Sequence, residues 1–168
     1  MIDDDTRMND EARALVATLG LRAHPEGGFF RETFRAPLVV AAPQGERAAS
    51  TAIYFLLPAG SFSALHRVRS DEVWHHYDGD PVDIHTLHDA GSHRVTRLGR
   101  NLSRGERPQV VVPAGVWQAA IPVGGAFALC GCTVAPGFDF ADFEMPARGE
   151  LVEAFPQLRE LVEKLTRS

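Results

Sequence analysis

His66, Glu72 and Gln118 are the residues of this chain whose types and positions best suit chemistry. Imidazole and carboxyl groups are the usual carriers of protons in general acid–base work. A carboxylate beside an imidazole raises the imidazole pKa toward physiological pH, where proton transfer is efficient. The same two residue types are good ligands for Zn, Fe, Mn or Ni, whereas the neutral amide of Gln118 is a poor one. Two readings of the pair stay open. It serves a functional pocket, or it is a hydrogen-bonded couple that knits two strands together, because inward polar groups need partners.

The stretches that carry these residues read as strands. Residues 61–68 and 71–77 are two short runs joined by the polar turn Arg69-Ser70. Alternation places His66 on one face with Ala64 and Val68, and Glu72 on one face with Trp74 and His76. His75 then points the other way, with Val73 and Tyr77. Further strands are expected at 29–35, 50–57, 82–87, 93–98, 109–112, 115–121 and 126–134, with a hairpin turn at Asp89-Ala90-Gly91. Residues 41–49, around Pro43 and Gly45, read as a loop. Residues 137–144 alternate aromatic and acidic side chains in the manner of an edge or capping strand. No helical pattern interrupts 50–134, which argues for an all-β sandwich or barrel and against a parallel βαβ sheet. Helices are expected only at the ends. Ala12, Leu15, Val16 and Leu19 share one helical face over about 10–19, capped by Asn9 or Asp10 and stopped by Gly20. Leu158, Leu161, Val162 and Leu165 repeat the pattern over about 156–166.

The whole chain bounds its class. Its 168 residues suit one domain, with a core over about 24–145, and 45% are apolar, enough to bury a core. Seventeen basic against 22 acidic residues give a net charge of −5, so no basic stripe awaits nucleic acid. No apolar run reaches 18 residues, and the acidic start Met1-Ile-Asp-Asp-Asp lacks the features of a secretion signal, so a cytoplasmic location is expected. Cys130 and Cys132 would share a strand face and run parallel, which disfavours a disulfide and suits two small core residues.

The spacing Gly60, His66, Glu72, Gly79 resembles the first motif of the cupin family, and Pro113-Ala-Gly-Val-Trp-Gln118 resembles the second. The resemblance implies that His66 and Glu72 face the interior of a small barrel, that Gln118 holds the place of the second-motif histidine, and that the three converge. The chain departs from the motif at Val68, where a second histidine is usual, and at Gln118 itself. Of the three histidines and one glutamate that bind metal in typical cupins, only His66 and Glu72 remain. A divalent metal on His66, Glu72 and Gln118 is therefore an incomplete set, which His76 would extend. One branch is more similar still, the domain-of-unknown-function 985 group. Its marks are His24-Pro-Glu-Gly-Gly-Phe-Phe-Arg31-Glu32, Ser50-Thr-Ala-Ile-Tyr-Phe-Leu-Leu57, Ser70-Asp-Glu-Val-Trp-His75 and Gly137-Phe-Asp-Phe140. It implies a double-stranded β-helix of jelly-roll type, related in fold to sugar-nucleotide epimerases, and a homodimer.

Around this site, Trp74, Phe55 and Tyr54 either wall an aromatic pocket or pack in the core. Arg31 either binds an anionic ligand or is solvated. His75 makes a structural hydrogen bond or belongs to the site. Phe138, Asp139 and Phe140 are expected to close one end of the barrel, and His85, His88 and His93 to lie at the surface. The leading functional expectation is a small-molecule-binding cupin in which His66 and Glu72 transfer a proton on a sugar or nucleotide derivative, as an isomerase or epimerase does. A metal-dependent oxygenase or isomerase, and a binding or sensing module without chemistry, are the alternatives.

Overall fold

Inward and outward alternation along its strands builds this molecule. A computed structural model describes residue 4, residues 8–88 and residues 91–167. The elements run α1 (Asp10–Leu19), β1 (Arg22–Ala23), β2 (Phe29–Arg35), β3 (Val39–Ala42), β4 (Gly45–Ala48), β5 (Thr51–Pro58), β6 (Ser63–Val68) and β7 (Asp71–Gly79). They continue with β8 (Val82–Leu87), β9 (His93–Leu98), β10 (Gln109–Val112), β11 (Trp117–Pro122), β12 (Phe127–Ala135), β13 (Phe143–Glu144), α2 (Arg148–Ala154) and α3 (Arg159–Leu165). One sheet has the order β1-β2-β5-β12-β7-β10 and the other β13-β6-β11-β8-β9. Every pairing within the two sheets is antiparallel. The result is a jelly-roll sandwich flanked by short helices.

The strand period decides what lies between the sheets. Phe55 and Leu57 of β5, Trp74 of β7, Ile84 of β8, Ala120 of β11, and Cys130 and Cys132 of β12 form the inner core. The alternate residues face outward. Leu65, Leu87, Trp117 and Ala119 pack under α2 and α3, while Phe29, Leu56 and Phe127 pack under α1. Asn9 accepts from Ala12 N to cap α1, and Gly20 ends it at φ 63°. Each sheet thus gains a helical cover over part of its outer face.

Three local expectations change. Residues 41–49 are not a loop, because β3 and β4 pair in register from Val39↔Ala48 to Ala42↔Gly45 around a Pro43-Gln44 turn. Residues 137–144 are mostly not a strand. Asp139 accepts from Ala141 N and turns the chain into one 3₁₀ turn, leaving only Phe143 and Glu144 to pair with β6. At the C-terminal end, Pro156 opens a 3₁₀ turn before α3, and α2 is an additional helix. The β8–β9 hairpin is present, but Asp89 and Ala90 of its turn lie outside the described residues.

Candidate active site

The turn between β1 and β2 supplies two side chains to the site. His24 N donates to Gly28 O and Gly27 N to His24 O, closing a tight loop. Gly27 and Gly28 sit at φ 109° and 71°, and a Cβ on Gly27 would run into Phe62 O and the Arg167 guanidinium. Glycine is required at this turn for conformation and for space. The loop is then clasped from outside. Asp4 accepts from Gly28 N at 2.8 Å and from Ser61 Oγ at 2.6 Å. Arg167 donates to Glu26 O at 3.2 Å and to Phe62 O at 2.7 Å. With its backbone so held, the turn directs Glu26 inward.

Glu26 and His66 form the central pair. Ser63 Oγ donates to Glu26 Oε1 at 2.8 Å, and Glu26 Oε2 lies 3.3 Å from His66 Nε2. His66 Nδ1 lies 2.7 Å from Ala64 O. A carbonyl only accepts, so Nδ1 carries hydrogen and Nε2 is the atom free to exchange a proton. Burial lifts Glu26 to about 8, against smaller opposing effects from Ser63 and Arg167. Burial lowers His66, while Glu72 and Ala64 O pull it back up. One proton shared between Oε2 and Nε2 keeps the buried pair neutral overall.

Glu72 reaches the same space from the opposite sheet. Burial raises its carboxyl, His66 lowers it, Glu26 raises it, and hydrogen bonds from Gln118 and Cys132 lower it. Behind it, Trp74 Nε1 donates to Gln118 Oε1 at 2.9 Å, and Gln118 Nε2 donates to Glu72 Oε2. An indole N–H only donates, so the amide must turn its oxygen to Trp74 and its NH₂ to Glu72. His24 completes the group. Its Nδ1 accepts from Glu26 N at 3.3 Å and lies 3.5 Å from Glu26 Oε2. Burial, then the neighbouring His66 and Arg22, lowers His24 to about 3, so its ring is neutral.

These four side chains border a cavity of about 350 Å³. Phe30, Phe138, Phe140 and Phe143 supply aromatic wall, and Arg22, Glu32, Arg35 and Asp139 also line it. The Phe143 ring lies 5.3 Å from the His66 ring. Phe138, Asp139 and Phe140, expected to close one end of the barrel, line the cavity at this end of the sandwich.

Of the residues singled out in the sequence, His66 and Glu72 line the cavity, but the carboxylate nearest His66 Nε2 belongs to Glu26. Gln118, Trp74 and Phe55 stand behind the cavity wall, buried in the core. His76 is also inward, yet it is spent on a bond to Asp80 O at 2.9 Å, away from the cavity. Arg31, Tyr54 and His75 face outward. Arg31 donates to Leu19 O at the end of α1, Tyr54 packs under α1, and His75 bonds Thr133 Oγ1 at 3.0 Å. Phe30 and Glu32 take the inward positions of β2, so Arg31 between them cannot reach the cavity. Sequence reasoning passed over His24 and Glu26 as site residues. Their only signal was the turn His24-Pro-Glu-Gly-Gly, whose glycines bring the backbone close to its neighbours.

The donor set does not fit a resident metal. Among the described residues no three His, Cys, Asp or Glu side chains are arranged to hold a metal ion, since His24 Nδ1 is taken by Glu26 N and His66 Nε2 faces Glu26 Oε2. Gln118 offers its NH₂ rather than its oxygen, and Val68 stands where a second imidazole would be. Cys132 borders the cavity, but burial, with Glu72 beside it, pushes its thiol well above the ordinary value.

Comparison with known proteins agrees with this architecture. A family model described as "Cupin superfamily (DUF985)" matches residues 13–146. A hypothetical protein from Leishmania major superposes with a TM-score of 0.89 at 32% identity, over 94% of this chain and 99% of that one. A crystal structure of a Shewanella oneidensis protein gives 0.87 at 36% identity, over 93% of this chain and 97% of that one. An uncharacterised protein of Saccharomyces cerevisiae is 28% identical over 144 residues, 76% of this chain and 71% of that one. Oxalate decarboxylase of Bacillus subtilis, with a TM-score of 0.55 at 15% identity over 85% of this chain and 36% of that one, shares the fold alone.

Proposed function

The chain belongs to the cupin superfamily, in the DUF985 family, and on that premise we propose that it is a metal-independent isomerase or epimerase of a small polar carbonyl compound. The observation that carries this reading is the Glu26–His66 pair, with Nε2 and Oε2 3.3 Å apart at the cavity and Nδ1 anchored on Ala64 O. His66 Nε2 takes a proton from the carbon beside the substrate carbonyl. The C–H electron pair moves into the enediol, and the carbonyl oxygen takes a proton from Glu72. Return of the proton from His66 to the neighbouring carbon, with the hydroxyl proton of the deprotonated carbon passing to Glu72, gives the isomer; delivery of the Glu26 proton to the other face of the same carbon, with His66 passing its proton to Glu26 and the enol oxygen its proton to Glu72, gives the epimer. Either route is redox-neutral and restores the starting proton count. A cavity of about 350 Å³ stands at the small end for ligand sites and suits a monosaccharide-sized body. The nucleotide portion of a larger substrate would project from the mouth.

Two further parts of the reading follow from the surface and the thiols. We propose a homodimer through the outer face of the six-stranded sheet, where Tyr77 and Val111 are exposed on neighbouring strands. Light scattering at micromolar concentration should give twice the chain mass, and a monomer would refute it. No helix among the described residues is long and apolar enough to cross a membrane. Two free, buried cysteines support work in the reducing cytoplasm.

The test works with the substrate still unidentified. A panel of aldoses, ketoses and 2-oxo acids incubated in D₂O should show enzyme-dependent exchange of carbon-bound hydrogen by NMR. Glu26→Gln keeps the shape and hydrogen bonds of a protonated Glu26 but cannot release its proton. It and His66→Asn should slow exchange by about 10²-fold or more. Equal exchange in wild type and both variants would take the chemistry away from this pair, and silence in all three would leave a binding module without chemistry.

A further inference from the structure

Two guanidinium groups line the cavity, and they are not equivalent. Arg35 is committed. Its Nε and Nη2 donate to the two carboxylate oxygens of Glu32 at 3.0 and 2.8 Å, and Nη2 also donates to Phe138 O at 3.0 Å. Arg22 has no carboxylate partner among the described residues. Its guanidinium lies over the Phe30 ring, 5.1 Å from the centroid. That contact uses the face of the ring and no hydrogen-bonding group of the guanidinium. Arg22 and Phe30 are register partners in β1 and β2, so the stack is built into the sheet. His24 follows two residues later on the same strand direction, and the Arg22 charge is felt at its ring.

We propose that Arg22 is the anion-recognition residue of this cavity, so that the substrate is a small acid whose carboxylate or phosphate sits on Arg22 while its reacting carbon lies over Glu26 and His66. The inference deepens the acid–base reading and rests on it for the direction in which the ligand lies. The surrounding charges support it. The Glu26–His66 pair is neutral overall, and burial raises Glu72 toward its uncharged form. The carboxylate of Glu32 is answered by Arg35. Asp139 also lines the cavity and accepts from Ala141 N, while Arg47 nearby is paired with Asp142. Arg22 is thus the guanidinium lining the cavity that has no carboxylate partner among the described residues, in the same cavity as the acid–base pair. A planar acid with a short polar body would span the two, with the phenyl rings of Phe138, Phe140 and Phe143 against its apolar side. A guanidinium fork matches both carboxylate and phosphate oxygens.

Matched probes separate charge from shape. Lactate against lactamide, and glycerol 3-phosphate against glycerol, would be titrated into wild-type protein and Arg22→Gln while the imidazole signals are followed by NMR. The anionic member of at least one pair should bind at least tenfold more tightly than its neutral counterpart, and Arg22→Gln should lose that preference. The pair that responds tells a carboxylate from a phosphate. Arg22→Lys should restore part of it, since the charge returns without the fork. Arg22 is exposed, so its variants should keep the wild-type melting temperature. Equal binding of charged and neutral probes, or anion binding unchanged in Arg22→Gln, overturns the assignment. Hydrogen exchange in D₂O is a separate readout. Anion binding lost in Arg22→Gln with no exchange in wild type leaves Arg22 standing and removes the acid–base reading. Exchange lost in Glu26→Gln with anion binding indifferent to Arg22 does the reverse.

Discussion

Strand β7 carries three inward side chains to three different ends. Glu72 borders a cavity, Trp74 fills the core, and His76 lies beyond it with its Nε2 on Asp80 O. His76 Nδ1 has no hydrogen-bond partner among the described residues. The same parity places all three between the sheets, yet only one meets open space. The difference lies in what the facing sheet and the end segments do. At the Glu72 end the β1–β2 turn and the segment around Phe138–Phe143 stand off and leave a chamber. At the His76 end the chain closes down. Alternation therefore sets direction, while neighbouring turns set access.

The contrast can be broken hardest at its middle. Trp74→Ala should cost on the order of 3–5 kcal/mol, because it opens a void and leaves Gln118 Oε1 without its donor. Denaturant unfolding measures it, and a loss below about 1 kcal/mol would show that the core is not sealed there.

The pH dependence of stability sharpens the cavity side. Glu26 holds its proton more tightly folded than unfolded, about 8 against 4.5, so its contribution to stability falls as pH rises through that window. His24 acts on the other flank. At about 3 folded against 6.5 unfolded, its burial opposes folding increasingly as pH falls from 6.5 toward 3. Glu26→Gln should flatten the alkaline limb and His24→Asn the acid limb, each on the order of a few kcal/mol across its window. Melting curves in pH steps would show it, and parallel limbs in wild type and variants would contradict it.

A smaller effect is expected from Gln118→Leu, which removes the hydrogen bond that favours ionised Glu72. The Glu72 carboxyl should titrate at higher pH by NMR, with a stability loss of about 1–3 kcal/mol. An unmoved titration would mean that Gln118 only fills space. The smallest change belongs to the closed end. His76→Gln should leave hydrogen exchange within about twofold and stability within about 1 kcal/mol. A large loss of exchange would place His76 in the chemistry after all.

The sequence was legible wherever a period ruled. That His66 shares a face with Ala64 and Val68, and Glu72 with Trp74 and His76, follows from alternation, and the cupin resemblance adds that this face is the inner one. His24 and Glu26 were not legible because a turn has no period. Its glycines announce a bend but not where the bend sends its side chains. Gln118 was half legible. Its inward position was implied by the resemblance to the second cupin motif, but its orientation depended on Trp74, 44 residues away, being a donor that cannot accept. The β3–β4 hairpin was hidden by Pro43, which marks a turn between two strands as readily as a loop.

The clasp on the Glu26 turn has a further meaning for how the protein comes into being. Arg167 meets Glu26 across 141 residues of sequence. A contact that distant is closed only after most of the chain has found its place. The sandwich can assemble around Trp74 while the loop that aims Glu26 is still unheld. The candidate site is then completed last, and a fusion or affinity tag joined close to Asp4 or Arg167 acts on it from outside.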